Sequence, residues 1–334
     1  MNAEIFAEWQ RRQGHQVIKT GSSYWYCAGP RVFQAFPFRS IIQPAEKELR
    51  ELLLGHGVAA ARFSTPFDFP EGIASYHVVL NGSYSMDQLN HQAKNNIRRG
   101  LRSCQVKTIS LSRLAGEGWN AQYDTLKRQG RTRSMSRAEW ERLCLSADNL
   151  PGFEAWGATI NGVLAASILT VRIEDTCYVP YAQCLHEYMA QHVNHALFYI
   201  ASCEMLSQSG VKEIFYTLHS LDAPESINEF KFRMGFQARP VRQRVVFHPW
   251  IAAFAKPATH RLLLRLVHDY PESHFLSKAE GMLRFYLQGK KPLDEQEWPK
   301  CLLKAKEEDG EIAIKAEQQT ILQADEKELT HVSS

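Results

Sequence analysis

The chain reads as an α/β protein: two units of mixed sheet flanked by helices, followed by a C-terminal helical extension. Three observations give that reading. Runs of strand length alternate with amphipathic runs of helix length over the first 250 residues or so. A three-strand meander stands between helices in the second half. The first half repeats part of the same order, namely helix, hairpin strands, helix, strand. At 334 residues the chain has room for about two domains.

The elements follow in order from local signals. Ile5, Phe6 and Trp9 share one face of a short opening helix. Thr20-Gly21-Ser22-Ser23 separates two strand-like runs, residues 16–19 and 24–28, and residues 31–38 continue as strand. Pro44 opens a helix with Leu49, Leu52 and Leu53 turned inward, ended by Gly55 or Gly57, and residues 58–64 return to strand. Ser85-Met86-Asp87-Gln88 has the form of a capping box, predicting a helix with Met86, Leu89, Ala93, Ile97 and Leu101 on one face. Lys94, Arg98 and Arg102 recur every four residues beside that face. They form a basic stripe that suits either phosphate contact or a solvated surface.

The second half is more sharply punctuated. Trp119, Tyr123 and Leu126 mark one helix, and Ser136-Arg137-Ala138-Glu139 caps the next. Asn161-Gly162 between residues 153–160 and 163–172 predicts a type I′ hairpin, because both turn positions need positive φ. Residues 176–183 supply the third strand of the meander. A long helix is expected over about 189–208, then a buried strand over 213–218. Ser226-Ile227-Asn228-Glu229 has the pattern of a further capping box, for a short helix closed by Gly235, and residues 241–247 make a last strand.

Composition narrows the function classes. Apolar residues at 44% and charged residues at 22% exclude wholesale disorder and fibrous classes. The net charge of +3 is too small for a chain coated along its length by nucleic acid. Charge is unevenly placed, however: residues 94–142 hold twelve Lys/Arg against four Asp/Glu, and residues 292–334 hold five against eleven. The basic zone calls for an anionic partner; the acidic stretch reads as a solvated tail. Seven scattered cysteines include no C-x-x-C pair, so small buried hydrophobes are expected and a metal is not. With no apolar run of spanning length and a polar start, a soluble cytoplasmic protein is expected.

The second-half order, with Ile227-Asn228-Glu229-Phe230-Lys231-Phe232-Arg233-Met234-Gly235-Phe236, resembles the GCN5-related N-acetyltransferase (GNAT) superfamily. More narrowly it looks like the FemAB-like branch, whose members often carry two GNAT-type units in tandem. The resemblance is firmest over residues 85–250. It implies a partial N-terminal GNAT-like unit over 1–105, an acyltransferase unit over 106–250, a helical extension over 251–291 and an acidic tail over 292–334. It also implies acyl transfer to a small-molecule amine acceptor, in cell-envelope, polysaccharide or secondary-metabolite building. The donor would be acyl-CoA or, as in FemAB enzymes proper, aminoacyl-tRNA. Lys231 would stabilise charge building on the acyl carbonyl or on a donor phosphate. CoA-dependent members usually carry a glycine-rich pyrophosphate loop after the fourth strand, yet residues 184–192 contain no glycine. The long helical arm of peptidoglycan FemAB enzymes is absent from residues 85–250 as well.

Other candidates attach to that frame. His219, just past a strand, is placed to take a proton from the attacking amine, with Asp222 and Glu229 as alternatives. Tyr216 could offer its hydroxyl to the reacting centre. Phe230, Tyr181 and Gln183 are candidate cleft-lining residues, the latter two where this fold normally splays to admit an acyl chain. Lys94, Arg98 and Arg131 are candidates for binding an anionic, possibly phosphate-bearing, substrate or tRNA, with Arg128 and Arg133 beside Arg131. His192 and His195 lack a third ligand, so no metal is expected there. Residues 260–270 mix leucines with Arg261, Arg265 and His268. This run reads as packing onto the second unit, and its character also suits weak contact with an anionic membrane. The rival from another class is a non-catalytic, degenerate GNAT-fold module that binds an anionic polymer or a protein. Recognition of RNA bases would need stacking aromatics beside the basic stripe, and residues 89–102 contain none.

Overall fold

The computed structural model describes residues 2–29, 31–130, 135–221 and 228–303. Residues up to Gln296 form one compact unit; Glu297 opens a second, of which 300–303 are helical. The helices are α1 (Glu4–Arg12), α2 (Glu46–Gly55), α3 (His91–Ser103), α4 (Leu111–Gly116), α5 (Gly118–Arg128), α6 (Arg137–Leu145), α7 (Val193–Ser207), α8 (Glu229–Arg233), α9 (Pro249–Ala252), α10 (Pro257–Asp269) and α11 (His274–Gln288). The strands are β1 (Val17–Lys19), β2 (Tyr24–Gly29), β3 (Val32–Phe36), β4 (Ala60–Thr65), β5 (Ile73–Asn81), β6 (Gln105–Ile109), β7 (Phe153–Ile160), β8 (Val163–Ile173), β9 (Thr176–Cys184), β10 (Glu213–Leu218) and β11 (Gln237–Phe247).

All eleven strands join one mixed sheet, ordered β1-β2-β3-β4-β11-β5-β10-β9-β8-β7-β6. The two sequence halves are therefore interleaved. The first-half strand β5 is antiparallel to both β10 and β11, and β11 lies in turn against the first-half strand β4. Both β4 and β5 are buried on their two faces, as central strands must be, and they bury Arg62, Ser64, Thr65, Ser75 and His77 along with their apolar residues.

Period-two alternation sorts the core. One face of the sheet carries α1, α4 and α6 over a cluster including Phe6, Trp9, Phe36, Trp140, Tyr178 and Phe215. Trp9 and Trp140, both fully buried, each donate the indole N–H to a backbone carbonyl, of Leu143 at 3.0 Å and Leu114 at 3.1 Å. On the other face α2 covers Trp25, Phe33 and Phe63. There α3 packs on α7 so closely that a Cβ on Gly100 would lie 2.5 Å from the His192 carbonyl oxygen.

Several local expectations are redrawn. The Asn161-Gly162 hairpin forms as expected, with φ of 50° and 83°. Ser85 caps only a 3-10 turn over Met86–Gln88, after which Leu89 is extended. The helix proper starts at His91, with Asn90 accepting from the Ala93 N–H at 2.8 Å. Leu101 is consequently exposed rather than part of an inward face. The expected 189–208 helix begins only at Val193, because His192 takes a left-handed φ of 59° after a 3-10 segment over His186–Gln191. Ser226, read as a cap, lies outside the described residues, and α8 begins at Glu229. No residue of α10 is fully buried, so this helix does not pack into the core; its inner side rests on α11.

Candidate functional site

The parallel pair β9–β10 is the structural origin of the site. Its ladder holds for three rungs, Glu213↔Thr176, Ile214↔Cys177 and Phe215↔Tyr178, and then ends. Beyond that point β9 stays with β8 as far as Cys184, whereas β10 stays with β5 as far as Leu218. Tyr216 is the bulged residue in the β10–β5 ladder. The bulge re-aims it: Phe215 joins the Trp9/Trp140 cluster, while the Tyr216 ring turns to Phe198 of α7 at 5.4 Å and to Phe236 at 5.8 Å.

Over this fork sits α8. Lys231 is 9% exposed, and its Nζ donates to the Asn228 Oδ1 at 2.7 Å. The same ammonium lies 4.3 Å from the centre of the Tyr216 ring, a cation–π contact. Among the described residues it has no carboxylate partner. Burial holds its pKa down at about 8, so at neutral pH it is still chiefly the cation. Asn228 in turn donates its Nδ2 to the Tyr76 hydroxyl at 2.9 Å, and the Tyr76 ring stacks on His219 at 4.8 Å. Phe230 packs edge-on against His195 and Phe198 of α7, at 5.0 and 5.4 Å. One face thus gathers Lys231, Asn228, Tyr76, His219, Tyr216 and Phe230.

His219 is partly buried, and burial first, then Arg62 and Arg284, lowers its pKa to about 3. It is a neutral imidazole at pH 7, and its Nδ1 has no partner among the described residues. Such a group accepts or donates a hydrogen bond but holds a proton weakly. Tyr216 offers its ring face, not its hydroxyl, to Lys231, and burial raises its pKa.

The remaining candidates are distributed as follows. Tyr181 and Gln183 point to the opposite face, since residues of β9 alternate. Tyr181 packs with Trp140 at 5.8 Å and Trp9 at 6.5 Å, and Gln183 donates to the Ser167 hydroxyl at 2.7 Å. They do not meet Lys231. Lys94, half-buried, and Arg98, exposed, lie on α3, on the Lys231 side of the sheet. Asn96, between them, is 3.2 Å from His195, which in turn touches Phe230. Arg131, Arg133 and Asp222 lie outside the described residues; Arg128 donates to the Cys184 carbonyl at 2.7 Å and so anchors the end of β9. His192 and His195 pack against each other at 5.2 Å, and no metal-holding cluster of His, Cys, Asp or Glu occurs among the described residues. Two members escaped the sequence reading. Asn228 stands three residues before Lys231, a helical spacing that could have drawn attention to it. Tyr76 comes from the other half of the chain and gives no local signal.

The start of α7 is where the resemblance places a pyrophosphate loop. Here the His186–Gln191 turn carries no glycine, and the His192 carbonyl is pressed against Gly100 of α3. At this helix start the His192 carbonyl thus lies close against the neighbouring helix α3.

No family model matches the chain, and no curated protein matches it. Solved structures do. FemX is similar at 10% identity and a TM-score of 0.51, with 75% of this chain and 92% of FemX covered. A conserved protein of unknown function from Bacteroides thetaiotaomicron is similar at 11% identity and a TM-score of 0.50, covering 74% of this chain and 91% of that one. The C-terminal domain of a lysylphosphatidylglycerol synthetase, described as putative in its source Agrobacterium fabrum, matches at 13% identity and a TM-score of 0.49, covering 72% and 87%. What these likenesses show is a shared fold: the chain has the fold of FemX and of the Bacteroides protein.

Proposed function

We propose that this protein is an N-acyltransferase that moves an acyl or aminoacyl group to an amine acceptor, with Lys231 as its electrostatic catalyst. One observation carries the reading: a buried ammonium, bound among the described residues by an amide oxygen and a ring face alone, stands over a fork in the sheet. Burying a cation without a counter-charge is costly, and a fold retains such a group where negative charge develops. Attack of a neutral amine on an ester or thioester carbonyl forms a tetrahedral oxyanion. An ammonium already stripped of water stabilises that oxyanion far more than a solvated one does. Collapse expels the alkoxide or thiolate, which takes up the proton that the attacking nitrogen loses and leaves as the alcohol or thiol while the amide forms. His219, neutral at pH 7 with a buried Nδ1 and a pKa held down at about 3, is a poor store for that proton and serves to pack against Tyr76.

The glycine-free start of α7 favours an aminoacyl-tRNA donor over acyl-CoA, and the cations of α3 suit a polyanionic donor. The FemAB-like resemblance agrees with this and points to cell-envelope building. The test is single-turnover transfer from radiolabelled aminoacyl-tRNA, with acetyl-CoA in parallel, to a panel of amine acceptors. Transfer by the wild type with loss in Lys231→Ala supports the assignment. Undiminished turnover in Lys231→Ala removes it, and binding of the donor without any turnover leaves the non-catalytic module.

A further inference from the structure

The helices that follow β11 expose apolar side chains more densely than any other described segment. Fifteen large hydrophobic residues are exposed among the described residues, and seven of them fall between positions 250 and 275. Trp250 is 78% exposed, Phe254 71%, Phe275 65%, Tyr270 61% and Leu262 56%, joined by Ile251 and Leu264. They belong to an ordered scaffold. His260 pairs with Glu280 of α11 at 2.9 Å, Glu280 also holds Arg284, and the Thr259 hydroxyl donates to the Phe254 carbonyl at 2.6 Å. Leu263, Leu266 and Val267 take the inner side of α10, which puts the exposed Leu262 and Leu264 on its two flanks and Arg261 and Arg265 on its outer side. Exposed aromatic residues of this size are costly in water and mark an interaction surface.

The charges around them select the partner. Lys256, Arg261 and Arg265 are exposed on the same segment, and none is held in an ion pair among the described residues. Residues 248–278 carry four Lys/Arg against two Asp/Glu, before four histidines are counted. A twofold contact between copies would set these cations against one another. Tryptophan, tyrosine and phenylalanine interspersed with lysine and arginine instead match the boundary between lipid headgroups and acyl chains, where the rings sit among the headgroups and cations meet phosphate.

We propose that α9, α10 and the first turn of α11 dock this protein onto a bilayer surface rich in anionic lipid. The segment lies on the interface and does not span it: no helix among the described residues is long and apolar enough to cross a membrane. This inference stands apart from the chemistry assigned to Lys231.

Co-sedimentation of the full chain with extruded vesicles tests it, using phosphatidylglycerol mixed equally with phosphatidylcholine against phosphatidylcholine alone. Binding to the anionic vesicles should be stronger by roughly tenfold and should weaken with salt. Trp250→Glu with Phe254→Glu should lower it by at least about tenfold. Arg261→Glu with Arg265→Glu should abolish the preference for anionic lipid. All four positions are exposed, so unchanged thermal melts are the control for folding. Trp250→Phe should still bind but lose part of the blue shift in tryptophan emission, which places that ring in the lipid. Lys231→Ala should bind vesicles like the wild type, so failure of the catalytic reading and failure of this one are separable. Equal recovery in the supernatant with both vesicle types overturns the proposal. So does a concentration-dependent dimer, seen by sedimentation velocity and abolished by the Trp250/Phe254 variant, in a protein that ignores vesicles.

Discussion

The two faces of the sheet at the β9–β10 fork are built on opposite terms. On one, Trp9, Trp140, Tyr181 and Phe215 belong to an aromatic-rich cluster in which the Trp9 and Trp140 indole N–H groups donate to carbonyls. On the other, residues one step along the same strands face Lys231, whose charge has an amide and a ring for company. The first face is arranged for stability and the second tolerates a destabilising group. The difference teaches that one step along a strand, from Phe215 to Tyr216, separates a structural wall from a chemical one.

Mutations should split along that line, and the widest gap comes first. Trp140→Ala should cost about 3–5 kcal/mol of unfolding free energy, read by denaturant titration. Lys231→Ala should leave the fold intact and lower single-turnover transfer by roughly 10²–10³-fold. A Trp140→Ala protein as stable as the wild type would break the comparison at its structural end.

Lys231→Met should even stabilise the protein. The folded pKa is about 8 against 10.5 for the ordinary side chain, so below pH 8 the folded state carries the full penalty of a buried charge. That penalty is about 3 kcal/mol. The unfolded chain binds the extra proton between pH 8 and 10.5, so wild-type stability rises with pH across that window and the advantage of Lys231→Met fades. Parallel urea titrations at pH 7 and pH 10 measure it. A Lys231→Met protein less stable than the wild type at pH 7 would show that the ammonium is held by a counter-charge.

His219 sharpens the acid side. Its folded pKa is about 3, below the ordinary 6.5, so stability falls as pH drops from 6.5 towards 3 while the unfolded chain takes up a proton. His219→Gln should remove about 1.4 kcal/mol per pH unit from that slope. His77, buried and likewise lowered to about 3, supplies a similar slope that the variant leaves in place. The smallest effect is expected at Tyr216: Phe should change transfer by less than about threefold, and Leu should cost about 0.5–2 kcal/mol through the lost cation–π contact. A large Tyr216→Phe defect would return the hydroxyl to the mechanism.

Much of the frame was legible because its signals are local. Asn161-Gly162 could only be a tight hairpin, and the apolar spacing around Leu49, Leu52 and Leu53 needed no partner to declare a helix. Lys231 could be singled out because a phenylalanine-lysine pair before a glycine-closed helix is a pattern within one stretch of chain. Helix starts were misread where two caps competed: Ser85 has the better motif, but Asn90 caps the real helix because Leu89 is extended between them. Tyr181 and Gln183 were assigned to the right strand end; only three-dimensional packing shows which face they take.

The sequence by itself determined the element types, the hairpins and the basic and acidic zones, for turn chemistry, periodicity and charge are properties of neighbours in the chain. Tertiary structure alone decided that β5 inserts between β10 and β11, that Tyr76 reaches Asn228, and that Gly100 crowds the start of α7. These are contacts between residues roughly ninety or more positions apart, and the free energy that fixes them comes from burial shared across the whole sheet, which no local pattern records.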